Sequence, residues 1–175
     1  LCHRIPFPPN KGDKIRSWNL LRYLCEHYRV YLGAFIDDPH DWQHVEKVEE
    51  ICEECCFVGL KPRLARMSSL SAFVTGHALS LPYYRSRAMR AWVEATLDAR
   101  RIRKTVAFSS PMAQYLDRPG LHTVVDLVDV DSAKWTAYAA NHRWPLSAVY
   151  RREGRRLLDF EKAAVARAAA GVLVT

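Results

Sequence analysis

Apolar positions along the chain alternate between two periods, and the alternation predicts the elements. Residues 1–5 read as the tail of a strand, and the prolines at 6, 8 and 9 exclude helix directly after it. Asp13 has the character of an N-cap, and Ile15, Leu20, Leu21, Leu24 and Tyr28 form a stripe at helical spacing. Residues 29–36 read as a second strand, closed by Asp37-Asp38-Pro39. A polar helix over 42–53 leads to a third strand near 55–60, then a basic loop over 61–68. A short helix over 70–75 ends at Gly76, Pro82 marks a break, and a clear helix follows over 85–103. There Met89, Trp92, Val93 and Leu97 share one face, and Arg90 stands four residues before Glu94, the spacing of an ion pair. Strands over 105–109 and 122–128 flank a short helix over 111–116. A helix starting near Asp131-Ser132, a long one from Pro145 through Ala164 and a last strand over 171–175 complete the reading.

Short apolar strands separated by helices indicate a parallel sheet covered on both faces. The fold expected is a Rossmann-like α/β domain spanning residues 1–175. Composition agrees: 49% hydrophobic and 26% charged residues in 175 exclude wholesale disorder and fibrous repeats. No apolar run reaches the ~18 residues of a membrane span. The formal charge of +7 favours phosphate-bearing ligands, nucleic acid or an anionic membrane surface. Five cysteines, three of them at 52, 55 and 56, lack the second pair of a zinc finger and read as buried thiols in a reducing cytoplasm. Neither end carries a start signal or a natural stop, so the chain reads as part of a longer polypeptide lacking a C-terminal region.

Ligands of open parallel sheets bind beyond the carboxyl ends of the strands, and two segments expected there are unusual. One is HRIPFPPNKGDKIR, residues 3–16. Gly12 before a helix lets backbone approach an anion, and Lys11, Lys14 and Arg16 add charge, although neither a dinucleotide fingerprint nor a Walker loop is present. The other is VDLVDVDSAKW, residues 125–135, with three carboxylates in six positions. They suit a divalent cation, a general base or sugar hydroxyls. Asp126, inside an apolar run, needs a partner and is the functional candidate. Asp129 is equally well read as solvated, and Asp131 as the cap of the next helix with Ser132. The pair His40 and His44 reads as a solvated face rather than a metal site. Arg151, Arg152, Arg155 and Arg156 gather on one side of the long helix, more in the manner of a solvated, salt-paired face than of a lipid or phosphate site. Ser109-Ser110 lack the nucleophile elbow of serine hydrolases.

Residues 3–16 resemble the opening of retaining GT-B glycosyltransferases of the GT4 type, in particular the sugar transferases of bacterial exopolysaccharide and PEP-CTERM/exosortase loci. FIDDP at 35–39, DLVDVDS at 126–132 with Lys134-Trp135, and YRREGRRLL at 150–158 with Glu161 are similar to the same group. The resemblance implies an N-terminal, acceptor-side domain, with the donor-binding domain and its Glu-x7-Glu motif outside this chain. It implies that Gly12, with Lys11 and Asp13 beside it, approaches the diphosphate of a nucleotide-sugar donor. Asp126 stands where relatives often carry His facing the transferred sugar, and Arg16, Asp129 and Lys134 are candidates for acceptor contact. No metal or further cofactor is expected. The partners implied are the nucleotide sugar and a glycan or lipid-linked acceptor, and Lys61, Arg63, Arg66, Arg85, Arg87 and Arg90 are candidates for peripheral contact with an anionic membrane at its inner, cytoplasmic face. The Gly12 turn and the aspartate cluster are expected to share one rim, and the fragment alone to be inactive. The alternative is a non-catalytic α/β regulatory or binding module; a nucleic-acid partner is not expected, because the aromatics fall in strands and on apolar helix faces.

Overall fold

The computed structural model describes residues 1–173, so the last two positions of the predicted terminal strand lie outside the described residues. Helix α1 (Gly12–His27) precedes strand β1 (Tyr31–Ile36), a 3-10 turn at Pro39–His44, α2 (Val45–Glu49) and β2 (Glu54–Gly59). Three short helices follow, α3 (Pro62–Ser69), α4 (Ser71–Thr75) and α5 (Ser80–Tyr83), then α6 (Arg87–Ala99) and β3 (Lys104–Phe108). A second 3-10 turn at Ser110–Tyr115, β4 (His122–Asp126), α7 (Asp131–Ala140), α8 (Leu146–Arg167) and β5 (Ala170–Val172) complete the order. The class is mixed α/β, and every strand pairing among the described residues is parallel.

The chain forms two compact units. Leu1–Pro62 with Ser86–Arg103 make the first, and Arg63–Arg85 with Lys104 onward make the second. In the first, β1 and β2 pair from Tyr31/Glu54 to Ile36/Gly59. The predicted opening strand is an extended segment held to β1 by Cys2 N–H to the Gly33 carbonyl at 2.8 Å and Ile5 N–H to that of Phe35 at 2.9 Å. Ile5, Leu32, Ala34, Phe35, Ile36, Val48, Met89 and Val93 fill the core, so the α6 face was legible from its period. Ser86 caps α6 by accepting the Met89 N–H at 3.2 Å, which shortens the helix relative to the predicted 85–103. Arg90 and Glu94 make their pair at 4.0 Å.

Helix α1 departs from its pattern. Its inward side is Lys14, Ser17 and Leu21, whereas Ile15 and Tyr28 are exposed. The polar inward side is possible because Lys14 donates to the buried Asp41 at 2.7 Å. Asp13 is not the cap of α1: Lys11 holds that position, and Asp13 turns to His3 and Arg4 instead. The predicted helix over 42–53 is split, because Asp38 caps a tight turn opening at Pro39 and only 45–49 are α-helical.

In the second unit β4 lies between β3 and β5, with Phe108 opposite Asp126 and Asp126 opposite Val172. Phe108, Met112, Val125 and Leu157 are fully buried. The basic loop expected over 61–68 is helix α3: Pro62 suits a first helical turn, and Ser68 and Ser69 return their hydroxyls to the Ala65 carbonyl at 2.8 and 2.9 Å. Gly154 lets α7 and α8 close together, since a Cβ there would stand 2.6 Å from Thr136 Oγ1 and 3.1 Å from the Ser132 carbonyl oxygen. Glu153, fully buried on α8, accepts from Leu79 N–H at 2.5 Å and from Ser80 N–H and hydroxyl at 3.0 and 2.7 Å. One carboxylate thereby supplies the partners that the N-terminal donors of α5 need.

Candidate functional site

The carboxyl ends of β3 and β4 form the most unusual backbone in the second unit. β4 ends in Asp126, 4% exposed, whose Oδ1 accepts the Val128 N–H at 2.9 Å. The turn this closes puts Val128 at φ 61°, in the left-handed region that a β-branched side chain strongly disfavours. On the neighbouring strand Ser109 has φ 78° and donates its N–H to the Asp126 carbonyl at 2.8 Å. Two strained non-glycine residues therefore bracket one buried carboxylate at a strand end. Such strain persists only where surroundings impose it, and it concentrates at functional sites.

Beyond Asp126 the sequence candidates fall to the surface. Asp129 is exposed and lies 3.5 Å from the ammonium of Lys134, with Asp131 on the same group at 3.3 Å. Burial works against the charge of Lys134, but the attraction and hydrogen bonds of the two carboxylates outweigh it and push its pKa up. Asp131 is thus engaged with Lys134 and makes no cap for α7, contrary to expectation. The stronger polar contact at that helix start joins Ser132 to the buried Glu161: the hydroxyl donates at 2.5 Å and the N–H at 3.4 Å. Desolvation pushes the Glu161 pKa up, and the Ser132 bonds counter it only in part.

In the first unit Gly12 is exposed in the first turn of α1, and nothing lies within 4 Å of where its Cβ would be. The charge around it is less favourable to an anion than expected. Lys14 is buried against Asp41. Arg4 is shared between Asp13 at 3.5 Å and Asp37 at 2.9 Å, and His3 lies 3.4 Å from Asp13. The His3 hydrogen bond, with the charges of His3 and Arg4 and against desolvation, holds the Asp13 carboxyl well below the usual carboxylate range. Lys11 is exposed and Arg16 half-buried. Formal charge at this helix start is close to balanced, so an anion would depend on backbone N–H groups and Lys11.

Gly12, Lys11, Asp13 and Arg16 belong to the first unit, and Asp126, Asp129 and Lys134 to the second. The remaining candidates resolve more simply. His40 pairs with Asp38 at 3.0 Å, and His44 packs edge-on to Phe7 with ring centroids 5.5 Å apart. Cys25 and Cys52 stand thiol to thiol, as do Cys52 and Cys55. Burial leads the effects that push Cys25 up to about 12, and the Cys55 thiol with burial drives Cys52 higher still. Such thiols stay protonated at neutral pH. Cys55 and Cys56 are half-buried on β2 rather than enclosed. Among the described residues no group of three His, Cys, Asp or Glu is placed to hold a metal ion, and no helix is long and apolar enough to cross a membrane. The sequence does not reveal the strain at Ser109 and Val128 or the buried roles of Glu153 and Glu161; its one hint is two glutamates set among the arginines and apolar residues of a long helix.

No protein-family model matches the chain, and no curated protein or solved structure matches it either.

Proposed function

We propose that the chain is the N-terminal, acceptor-side half of a retaining GT-B glycosyltransferase, acting in transfer of a sugar from a nucleotide donor to a glycan or lipid-linked acceptor. The observation that carries this reading is Asp126: a buried carboxylate at a parallel strand end, bracketed by the strained backbone of Ser109 and Val128. The order within each sheet, β1–β2 beside an extended first segment and β3–β4–β5, supports a Rossmann-like arrangement. The Val128 amide holds the Asp126 carboxylate at the strand end, and carboxylate oxygens accept hydrogen bonds of the kind a sugar hydroxyl donates. Gly12 contributes by exposing the start of a 16-residue helix, whose dipole favours the charge that develops on a departing diphosphate. Lys11 is the cation nearest that point in sequence, and the larger share of charge stabilisation belongs to the donor-binding half.

The test is an incubation of the chain with radiolabelled nucleotide sugars and lipid-linked acceptors, together with acceptor binding followed by saturation-transfer NMR. The expected outcome is acceptor binding without sugar transfer, with binding weakened in Asp126→Ala and retained in a distant surface variant such as Lys47→Ala. Transfer by the chain alone contradicts the division of labour, and failure of every acceptor to bind contradicts the reading as a whole.

A further inference from the structure

Between Glu54 and Glu94 the chain carries no acidic residue. In the second unit this stretch supplies α3 and α4, and their amphipathicity is inverted. The small side chains Ala65, Ser69 and Ala72 are buried. The large apolar ones face solvent: Leu64 is 59% exposed, Met67 68%, Leu70 61%, Phe73 46% and Val74 92%. Folding alone gives no reason to send five large apolar groups outward from two adjacent helices and Leu70 between them, since each loses the stabilisation of burial. Arg63 and Arg66 are interleaved with them.

Arg152 connects this patch to the basic side of α8. Its Nη2 donates to the Ala72 carbonyl at 2.5 Å, and its guanidinium stacks 4.9 Å from the centroid of the Phe73 ring. The same arginine lines a groove of about 680 Å³ with Arg151, Arg155, Arg156 and Trp144, which is 83% exposed. Asp159 is the one acidic residue lining the groove.

We infer that this face of the second unit docks on an anionic bilayer. Leu64, Met67, Leu70 and Val74 enter the boundary between headgroups and acyl chains, Trp144 sits at headgroup depth, and the arginines of α3 and α8 pair with lipid phosphates. Charge complementarity selects this occupant: a stretch free of carboxylates, with apolar tips between guanidinium groups, matches a surface that is apolar below and anionic above. The inference extends the transferase reading, whose resemblance places Arg63 and Arg66 at a membrane, but it uses none of the residues assigned to the sugar site, so failure of vesicle binding overturns the docking alone.

The test is sedimentation of the full chain with vesicles of phosphatidylcholine alone and of phosphatidylcholine with phosphatidylglycerol. Binding to the anionic vesicles is expected to exceed binding to neutral ones by about 10-fold or more and to fall as salt is raised. Met67→Glu/Val74→Glu and Arg155→Glu/Arg156→Glu, all at exposed positions, are each expected to lower it about 10-fold, with circular dichroism unchanged. A blue shift of tryptophan emission on anionic vesicles, absent in Trp144→Phe, checks the same contact in a single conservative variant. Equal binding to both vesicle types overturns the inference, as does binding indifferent to both charge-reversal pairs. So does a vesicle-independent dimer that Met67→Glu/Val74→Glu dissociates, which would assign the patch to a second copy of the chain.

Discussion

Asp13 and Glu161 make opposite demands on the pH dependence of stability. The carboxyl of Asp13 sits below its ordinary 3.8 because His3 and Arg4 hold its charged form. Its stabilisation is therefore complete above that value and is lost below it, as the pH falls through the lower value of the folded state. The Glu161 pKa is raised above its ordinary 4.5 by burial. As pH rises past 4.5 the unfolded chain ionises first, so Glu161 costs stability from there upward. In urea unfolding over a pH series, Asp13→Asn is expected to be less stable than the parent at neutral pH, with the gap closing below 3.8. Glu161→Gln is expected to gain on the parent as the pH rises above 4.5. Gaps that do not vary with pH would contradict both assignments. The roles of these residues were only half legible. Acidic side chains before helical runs suggest caps at Asp13 and Asp131, yet each lies inside the first turn of its helix, past the cap position, and faces a cation instead.

At the scale of elements, the second unit is tied together by α8. Gly154 permits close approach to α7, and the neighbouring Glu153 gathers the donors at the start of α5. Gly154→Ala is expected to destabilise by about 1–3 kcal/mol through overpacking against Thr136. Glu153→Ala leaves two N–H groups and a hydroxyl unmatched and is expected to cost about 3 kcal/mol or more, with Glu153→Gln recovering part of it. Chemical denaturation midpoints decide both, and an unchanged midpoint in Glu153→Ala would show that water replaces the carboxylate. Most elements could be read from the pattern alone, α6 because a single side of it is apolar and the strands because short apolar runs fall between turn residues. Helix α3 could not, since its large residues point outward and only Ala65 and Ser69 turn in. Nor could the link from Glu153 to Leu79, which joins positions 74 residues apart through tertiary packing.

For the whole molecule, each of the two compact units carries one candidate position at a strand or helix end, Gly12 in the first and Asp126 in the second. Asp126 was legible as a carboxylate in an apolar strand. The left-handed backbone of Ser109 and Val128 was not, because it runs against the preference of both residue types. The most direct test of the sugar-transfer reading is a 1H–15N chemical-shift titration of the chain with nucleotide sugars and acceptor glycans at millimolar concentration. Saturable shifts are expected at the Leu127 and Val128 amides, abolished in Asp126→Ala, with a separate response of the Gly12 amide to the diphosphate-bearing ligand. Shifts confined to other surfaces, or none at saturation, would contradict that reading.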